Sequence, residues 1–247
     1  MSNLRMRMPL GALACLALLS CATVPPSERS RHDPWQRMNR ATFRFNEQFD
    51  RVIAKPAAKA YLRDVPLMIR VGINNFLHNL EYPTVIVNDL LQGQFTPMVR
   101  DTSRLVINTT VGVGGLLDPA ARMGLARDDR DFGQTFGKWG IGPGPYLVLP
   151  FLGPSDLRDA IGLVPAEYTD PLHYVQNGWA DYGTRTVDSV NVRANLLPTT
   201  RLIEQAYDPY SFARNAYLSR REFLVKGAKK EGGAEDELKE LESGGGN

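Results

Sequence analysis

Cysteine is almost absent from this chain, with Cys15 and Cys21 the only two in 247 residues. If the first of these leaves with a cleaved leader, no internal disulfide can form, even in an oxidising compartment. Histidine is scarce as well: His32, His78 and His173 lie far apart in sequence. Without a thiolate partner they do not suggest a metal site. The signatures Gly-x-Ser-x-Gly, Gly-x-x-x-x-Gly-Lys-Ser/Thr and His-Glu-x-x-His are missing, so no catalytic residue is expected. A Ser-His-Asp set drawn from Ser155, His78 and Asp159 has nothing in its spacing to recommend it. Gly140-Ile141-Gly142-Pro143-Gly144 has the wrong spacing for a dinucleotide fingerprint, and its proline lacks an N–H that phosphate cradling needs. Charge of one sign is lacking too: 29 basic residues face 27 acidic ones. That balance speaks against nucleic-acid binding, which shows as clustered positive charge. No apolar run reaches the roughly 20 residues needed to span a bilayer.

What is present begins at the N-terminus. Arg5 and Arg7 precede an apolar stretch, Leu10 to Leu19, broken only by Gly11. This layout predicts a secretory signal over residues 1–20. Leu18-Leu19-Ser20-Cys21 resembles the lipobox of bacterial lipoproteins, in which the cysteine thiol receives diacylglycerol. Acylation of Cys21 would also remove a lone thiol, and more than one acyl chain gives a stable anchor. Residue 22 is Ala and not Asp, which by resemblance to the enterobacterial sorting rule favours the outer membrane. Removing Arg5 and Arg7 with the leader leaves 27 of the 29 basic residues against 27 acidic, a mature chain of zero net charge.

Residues 21–32 then read as a lipidated end and tether, with the Pro-containing polar run Thr23–Arg31. Residues 33–225 form one domain, and 226–247 form a Gly-rich charged tail with at most a short helix at 235–241. Within the domain, Asp33-Pro34, Asp118-Pro119, Asp170-Pro171, Asp208-Pro209 and Thr96-Pro97 are candidate helix starts: the side chain accepts a first-turn N–H and Pro occupies the first helical position. Helices are predicted over 34–53, 66–80, 83–92, 97–108, 156–163, 178–197, 199–206 and 209–225, with Gly93 as a stop. In the first, Trp35, Met38, Thr42, Phe45, Phe49 and Val52 share one face, and Arg37, Arg40, Arg44 and Arg51 the other. Such a helix either lies on a membrane surface with its arginines near phosphates or faces a core with a solvated back. Strand signals are poor, and the domain reads as mainly α-helical.

Two stretches interrupt the helices: 110–117 and Gly137–Ser155, the second rich in Gly and Pro. Its centre, Tyr146-Leu147-Val148-Leu149-Pro150-Phe151-Leu152, is too apolar for a solvated loop. It is buried in protein, buried in lipid, or lines an apolar passage. The run Arg127-Asp128-Asp129-Arg130-Asp131 reads as a solvated loop with local ion pairs, each of little worth, with a partner contact as the alternative.

One ordered set of short motifs remains. It runs Asp33-Pro34, Asn39-Arg40, Phe45-Asn46, Asn75-Phe76, Asn79-Leu80, Leu91-Gln92-Gly93 and Asn108-Thr109. It continues through Gly112-Val113-Gly114-Gly115, Asp131-Phe132-Gly133-Gln134-Thr135, Gly142-Pro143-Gly144-Pro145-Tyr146, Leu149-Pro150 and Arg158-Asp159. Behind a lipobox, this series resembles the MlaA (VacJ) family of outer-membrane phospholipid-transport lipoproteins over about residues 33–215. The resemblance implies a single-domain helical ring in the inner leaflet of the outer membrane, with an amphipathic channel. It implies removal of phospholipid misplaced in the outer leaflet, association with a trimeric porin, delivery to a soluble periplasmic carrier, and no cofactor. On that footing Gly142, Gly144, Tyr146, Leu147, Val148, Leu149, Pro150, Phe151 and Gly153 are candidate wall or gate residues of the channel, with the glycines as hinges. Non-helical backbone at membrane depth is tolerated only inside protein or along a cavity.

Overall fold

The computed structural model describes residues 33–226; the leader, Cys21, the tether and the tail beyond 226 lie outside the described residues. The fold is mainly helical. Helix α1 (Gln36–Phe49) runs without a break through a π-helical turn, Asp50–Ala54, into α2 (Lys55–Asp64). The sequence places a helix end near residue 53. The rod continues because the wider π turn accommodates Pro56, whose ring would crowd the carbonyl four residues back and which has no N–H to offer it.

Helix α3 (Leu67–Leu91) contains Pro83, so the two helices expected over 66–80 and 83–92 are one. This helix stops before Gly93, at φ +67°, as the sequence suggests. Helix α4 (Phe95–Thr110) follows, and then a tight turn in which Val113, Gly114 and Gly115 all have positive φ. A Cβ on Gly115 would lie 2.6 Å from the Asn79 side chain, so only glycine lets this turn close on α3. The remaining elements are α5 (Pro119–Arg122), α6 (Phe132–Lys138), the strands β1 (Tyr146–Leu149) and β2 (Gly153–Asp156), α7 (Leu157–Thr169), the 3-10 turn Pro171–Tyr174, α8 (Gly178–Asn195), α9 (Leu197–Glu204) and α10 (Pro209–Lys226).

Three of the five expected caps form. Asp118 accepts from the Ala121 N–H, Asp170 from Leu172, and Asp208 from Ser211. The other two do not: α4 starts at Phe95 behind Gln94, and α1 starts behind Trp35, neither with a side-chain cap. Asp33 is instead buried where α1 meets α10, accepting from Asn39 Nδ2 at 2.8 Å and from Tyr210. Helix α6, not expected from the sequence, is capped by Asp131, which accepts from Gln134 N–H at 2.7 Å.

The packed elements close into a ring. The rod α1–α2 packs on α8, α8 on α3, α3 on α6, and α6 on α10, while α1 contacts the strand pair that α10 also touches. The circuit is fastened by Arg40 on Asp208, by Arg214 on Asp33 at 3.1 Å, and by a small cluster of Tyr146, Val148 and Tyr210 with Phe43. Arg40 also lies 4.4 Å from the centre of the Tyr210 ring, a cation–π contact.

Candidate functional site

The Gly/Pro-rich stretch folds as an antiparallel hairpin with Tyr146 opposite Asp156 and Leu149 opposite Gly153. A two-stranded sheet leaves both edges with unpaired backbone groups. On the β1 side the edge is closed by two side chains of α1. Asn39 donates Nδ2 to the Tyr146 carbonyl (2.9 Å) and accepts the Val148 N–H (3.0 Å). Asn46, two turns on, donates to the Leu149 carbonyl (2.9 Å) and accepts the Phe151 N–H (2.9 Å). Each amide thus takes the place of a neighbouring strand residue, with one donor and one acceptor.

The hairpin divides the alternatives left open by its composition. Tyr146 and Val148 are buried in protein, Leu147, Leu149 and Pro150 are half-buried, and Phe151 and Leu152 at the tip are exposed. Phe151 adopts a left-handed φ of +64°, a strained conformation for a bulky residue. It is held there by edge-on contacts with Phe45 (5.2 Å) and Phe49 (5.0 Å). Gly144 and Gly153 have φ of +68° and +84° and Gly142 does not; nothing stands within 4 Å of a Cβ on Gly142 or Gly153. Ser155, His78 and Asp159 form no triad. Ser155 bonds the Asp156 carbonyl, His78 contacts Glu81, and Asp159 takes Tyr217 and Arg158.

The buried interior is more polar than apolar, and many large apolar side chains are exposed. Among the described residues fifteen buried side chains are polar or charged and eleven are apolar or aromatic. Helix α4 shows this distribution: Asp101, Arg104 and Asn108 are buried while Val99 and Val106 are exposed. In α1 the buried positions are Asn39 and Thr42; of the face that the sequence assigned either to a core or to a membrane surface, Thr42 is buried while Phe45, and Trp35 and Val52 just outside the helix, are exposed. Exposed apolar surface on this scale marks a binding or membrane face. No helix among the described residues is long and apolar enough to cross a membrane.

The buried charges are paired. Arg104 forks onto Asp118 (2.7 and 3.0 Å) and also reaches Tyr82 and the Leu125 carbonyl. Arg221 forks onto Asp131 (2.6 and 2.9 Å) and lies 2.5 Å from Asp159. The run 127–131 is therefore not a plain solvated loop. Asp128 receives Arg100 and Arg130, Arg130 also reaches the fully buried Asp89, and Asp131 caps α6. Sequence reading missed this because the partners lie on α3, α4 and α10, far along the chain. Asp89, Asp101 and Asp128 bring carboxylate oxygens within 4.8 Å of one another, the spacing of a metal-ligand set, but the guanidinium groups of Arg100 and Arg130 already stand on them.

Two cavities open between the helices. One, of about 430 Å³, is bordered by Arg104, Asp118 and the loop through Arg127. The other, of about 410 Å³, lies between α2, α3 and α8 and is lined by the apolar Leu62, Leu67 and Val71 and by the polar Arg70, Asn74 and Asn191.

Comparison with known proteins agrees with this architecture. A solved structure described as "Structural basis for maintenance of bacterial outer membrane lipid asymmetry" superposes with a TM-score of 0.71 at 37% identity, covering 80% of this chain and 100% of that one. The "Intermembrane phospholipid transport system lipoprotein MlaA" of Escherichia coli (strain K12) is 36% identical over 230 residues, 91% of this chain and 90% of the relative. The protein of the same description from Shigella flexneri is 37% identical over 233 residues, 91% of this chain and 90% of the relative. A family profile described as "MlaA lipoprotein" matches residues 31–224. It spans the ring from the Asp33 join to the last turn of α10, and the chain belongs to the MlaA lipoprotein family.

Proposed function

We propose that this chain is an outer-membrane lipoprotein that moves phospholipid between membranes, taking misplaced lipid from the outer leaflet and passing it to a soluble periplasmic carrier. The observation that carries the reading is the distribution of polarity: a ring that exposes many large apolar side chains, no spanning helix among the described residues, and a mostly polar buried interior. A water-soluble protein gains by burying such apolar surface, at about 25 cal/mol per Å². Here lipid tails take that role. The relatives described as intermembrane phospholipid transport lipoproteins, and the solved neighbour concerned with outer-membrane lipid asymmetry, support the same assignment.

In this reading the ring sits in the inner leaflet, anchored through an acylated Cys21, beside a trimeric porin. The hairpin 146–153 lines or gates the lipid passage, with Phe151 and Leu152 among the tails and Gly142, Gly144 and Gly153 as hinges. Gly144 is the stronger hinge position. It has positive φ, and a Cβ there would lie 3.2 Å from Leu157, so Gly144→Val should impair transport more than Gly142→Val. Transport needs no covalent step, and no residue is assigned to one.

The test is the outer-leaflet content of phospholipid and lysophospholipid in cells lacking the gene, with a complemented control. A rise in intact outer-leaflet phospholipid, reversed by the native gene, is expected. Release of lysophospholipid by the complementing protein would indicate a phospholipase instead. An unchanged leaflet would leave a structural role beside the porin. Cys21→Ala should yield protein free in the periplasm and inactive; firm membrane attachment of that variant would remove the anchor.

A further inference from the structure

Every strongly buried arginine described above is matched by a carboxylate. Arg70 differs. It is half-buried and forms no ion pair with any acidic group among the described residues. Its Nε donates to the Val65 carbonyl at 3.0 Å, which fixes the guanidinium plane and leaves both Nη groups without a protein partner among those residues. Arg70 borders the 410 Å³ cavity between α2, α3 and α8, and no carboxylate lines that cavity.

One helical turn on, on the same face of α3, is Asn74. Its Oδ1 accepts from Asn191 Nδ2 (3.0 Å) and Asn195 Nδ2 (3.2 Å). The amide is therefore oriented, and its own Nδ2 is the group left to donate. An unneutralised guanidinium and a fixed amide donor line the cavity together with the apolar Leu62, Leu67 and Val71. A planar guanidinium with both Nη groups free matches a phosphate oxygen pair. The apolar lining suits the first carbons of an ester chain. The cavity volume falls within the roughly 300–1,000 Å³ usual for small-molecule sites.

We infer that this cavity is a head-group site, in which Arg70 and Asn74 bind the phosphodiester of a phospholipid while Leu62, Leu67 and Val71 receive the glycerol-ester portion. The inference rests on the phospholipid-transport reading above and names residues for it. The other cavity differs: a carboxylate, Asp118, belongs to its lining, Arg104 there spends its donors on Asp118, Tyr82 and Leu125, and Arg127, though unpaired among the described residues, is exposed and held by no hydrogen bond among them.

The experiment is calorimetric titration of the full-length lipoprotein, purified in a maltoside detergent, with dibutyryl phosphatidylglycerol. Dibutyrylglycerol and inorganic phosphate serve as the comparison ligands. The phosphatidyl ester should bind more tightly than either of these. Arg70→Gln should weaken its binding at least tenfold and Arg70→Lys less. Asn74→Asp, nearly isosteric and still able to accept from Asn191 and Asn195, supplies a competing carboxylate and should weaken binding as much as Arg70→Gln. It also guards against misfolding of the arginine variant. Unchanged affinity in a folded Asn74→Asp or Arg70→Gln protein would overturn the site. Inorganic phosphate binding as tightly as the ester would overturn the lipid assignment. The two readings fail separately. If gene loss leaves the outer leaflet unaltered, transport fails while the titration still decides the site. If gene loss disturbs the leaflet and Arg70→Gln binds normally, the site fails and transport stands.

Discussion

The two asparagines of the first helix show how much a single side chain can settle. Asn39 and Asn46 each complete the open edge of β1 with one donor and one acceptor. Asn39→Ala would strip partners from two backbone groups beside the buried Tyr146 and Val148, at about 1–3 kcal/mol for each buried unsatisfied group. Asn46→Ala, near the exposed tip where water can substitute, should cost less. Urea unfolding of both variants checks the order. Asp89 offers a second test. Burial, with some help from Asp101 and Asp128 and opposed by Arg130, pushes its carboxyl up to about 7. The folded state therefore keeps this proton at pH values where the unfolded chain, near 3.8, has lost it. The contribution of Asp89 to stability is greatest below the unfolded value and is lost as the pH rises towards 7. Asp89→Asn should be more stable than the native protein at pH 8, with the difference shrinking towards pH 4 in paired thermal melts.

At the scale of elements, periodicity located most helices but left open which way the first one faces. The intervals of three and four in Trp35, Met38, Thr42, Phe45, Phe49 and Val52 do mark a helix, but the same pattern serves a core or a membrane surface. Here Asn39 and Thr42 are buried while Trp35, Phe45 and Val52 are exposed. The Asp-Pro rule worked at Asp118, Asp170 and Asp208, where the carboxylate accepts a first-turn N–H and also receives a distant arginine. It failed at Asp33, whose carboxylate is taken up by the side chains of Asn39, Tyr210 and Arg214 and caps no first turn. Helix α6 was overlooked although Asp131 and Gln134 have the spacing of a capping box; the flanking glycines masked it. The hairpin was legible as an apolar break, but its Asn clamp was not, since two residues a hundred positions upstream leave no local signal. Asp131 both caps α6 and pairs with Arg221, and two variants separate these roles. Asp131→Asn keeps the acceptor and loses the charge. Asp131→Ala loses both and should be less stable than Asn by about 1 kcal/mol, the worth of a cap, in denaturant titration.

For the whole molecule the relevant contrast is between folding and membrane association. The ring is held by ion pairs and hydrogen bonds directed inward, whereas Phe151, Leu152 and the exposed valines of α4 contribute little to that network. A charge at the hairpin tip should therefore spare the fold and weaken lipid contact. Leu152→Glu, at a side chain 70% exposed, should keep its urea midpoint within about 0.5 kcal/mol of native stability, yet float less with liposomes of phosphatidylethanolamine and phosphatidylglycerol. Equal flotation would place the tip away from lipid. The paired arginines behave oppositely. Removing one partner of a buried pair costs about 3–5 kcal/mol, so Asp118→Ala, which deserts Arg104, should unfold the ring at much lower urea.

The join at Asp33 has a mechanical consequence. Asp33 is bound to Tyr210 and Arg214 of α10 and to Asn39 of α1, and it directly follows the segment that leads back to Cys21. Under the proposed anchoring through Cys21, a pull passed along the chain to residue 33 would meet this three-way knot before it reached the first turn of α1. The pull is divided between the first and last helices, so a tug from the membrane loads the ring as a hoop instead of peeling one helix away from its end.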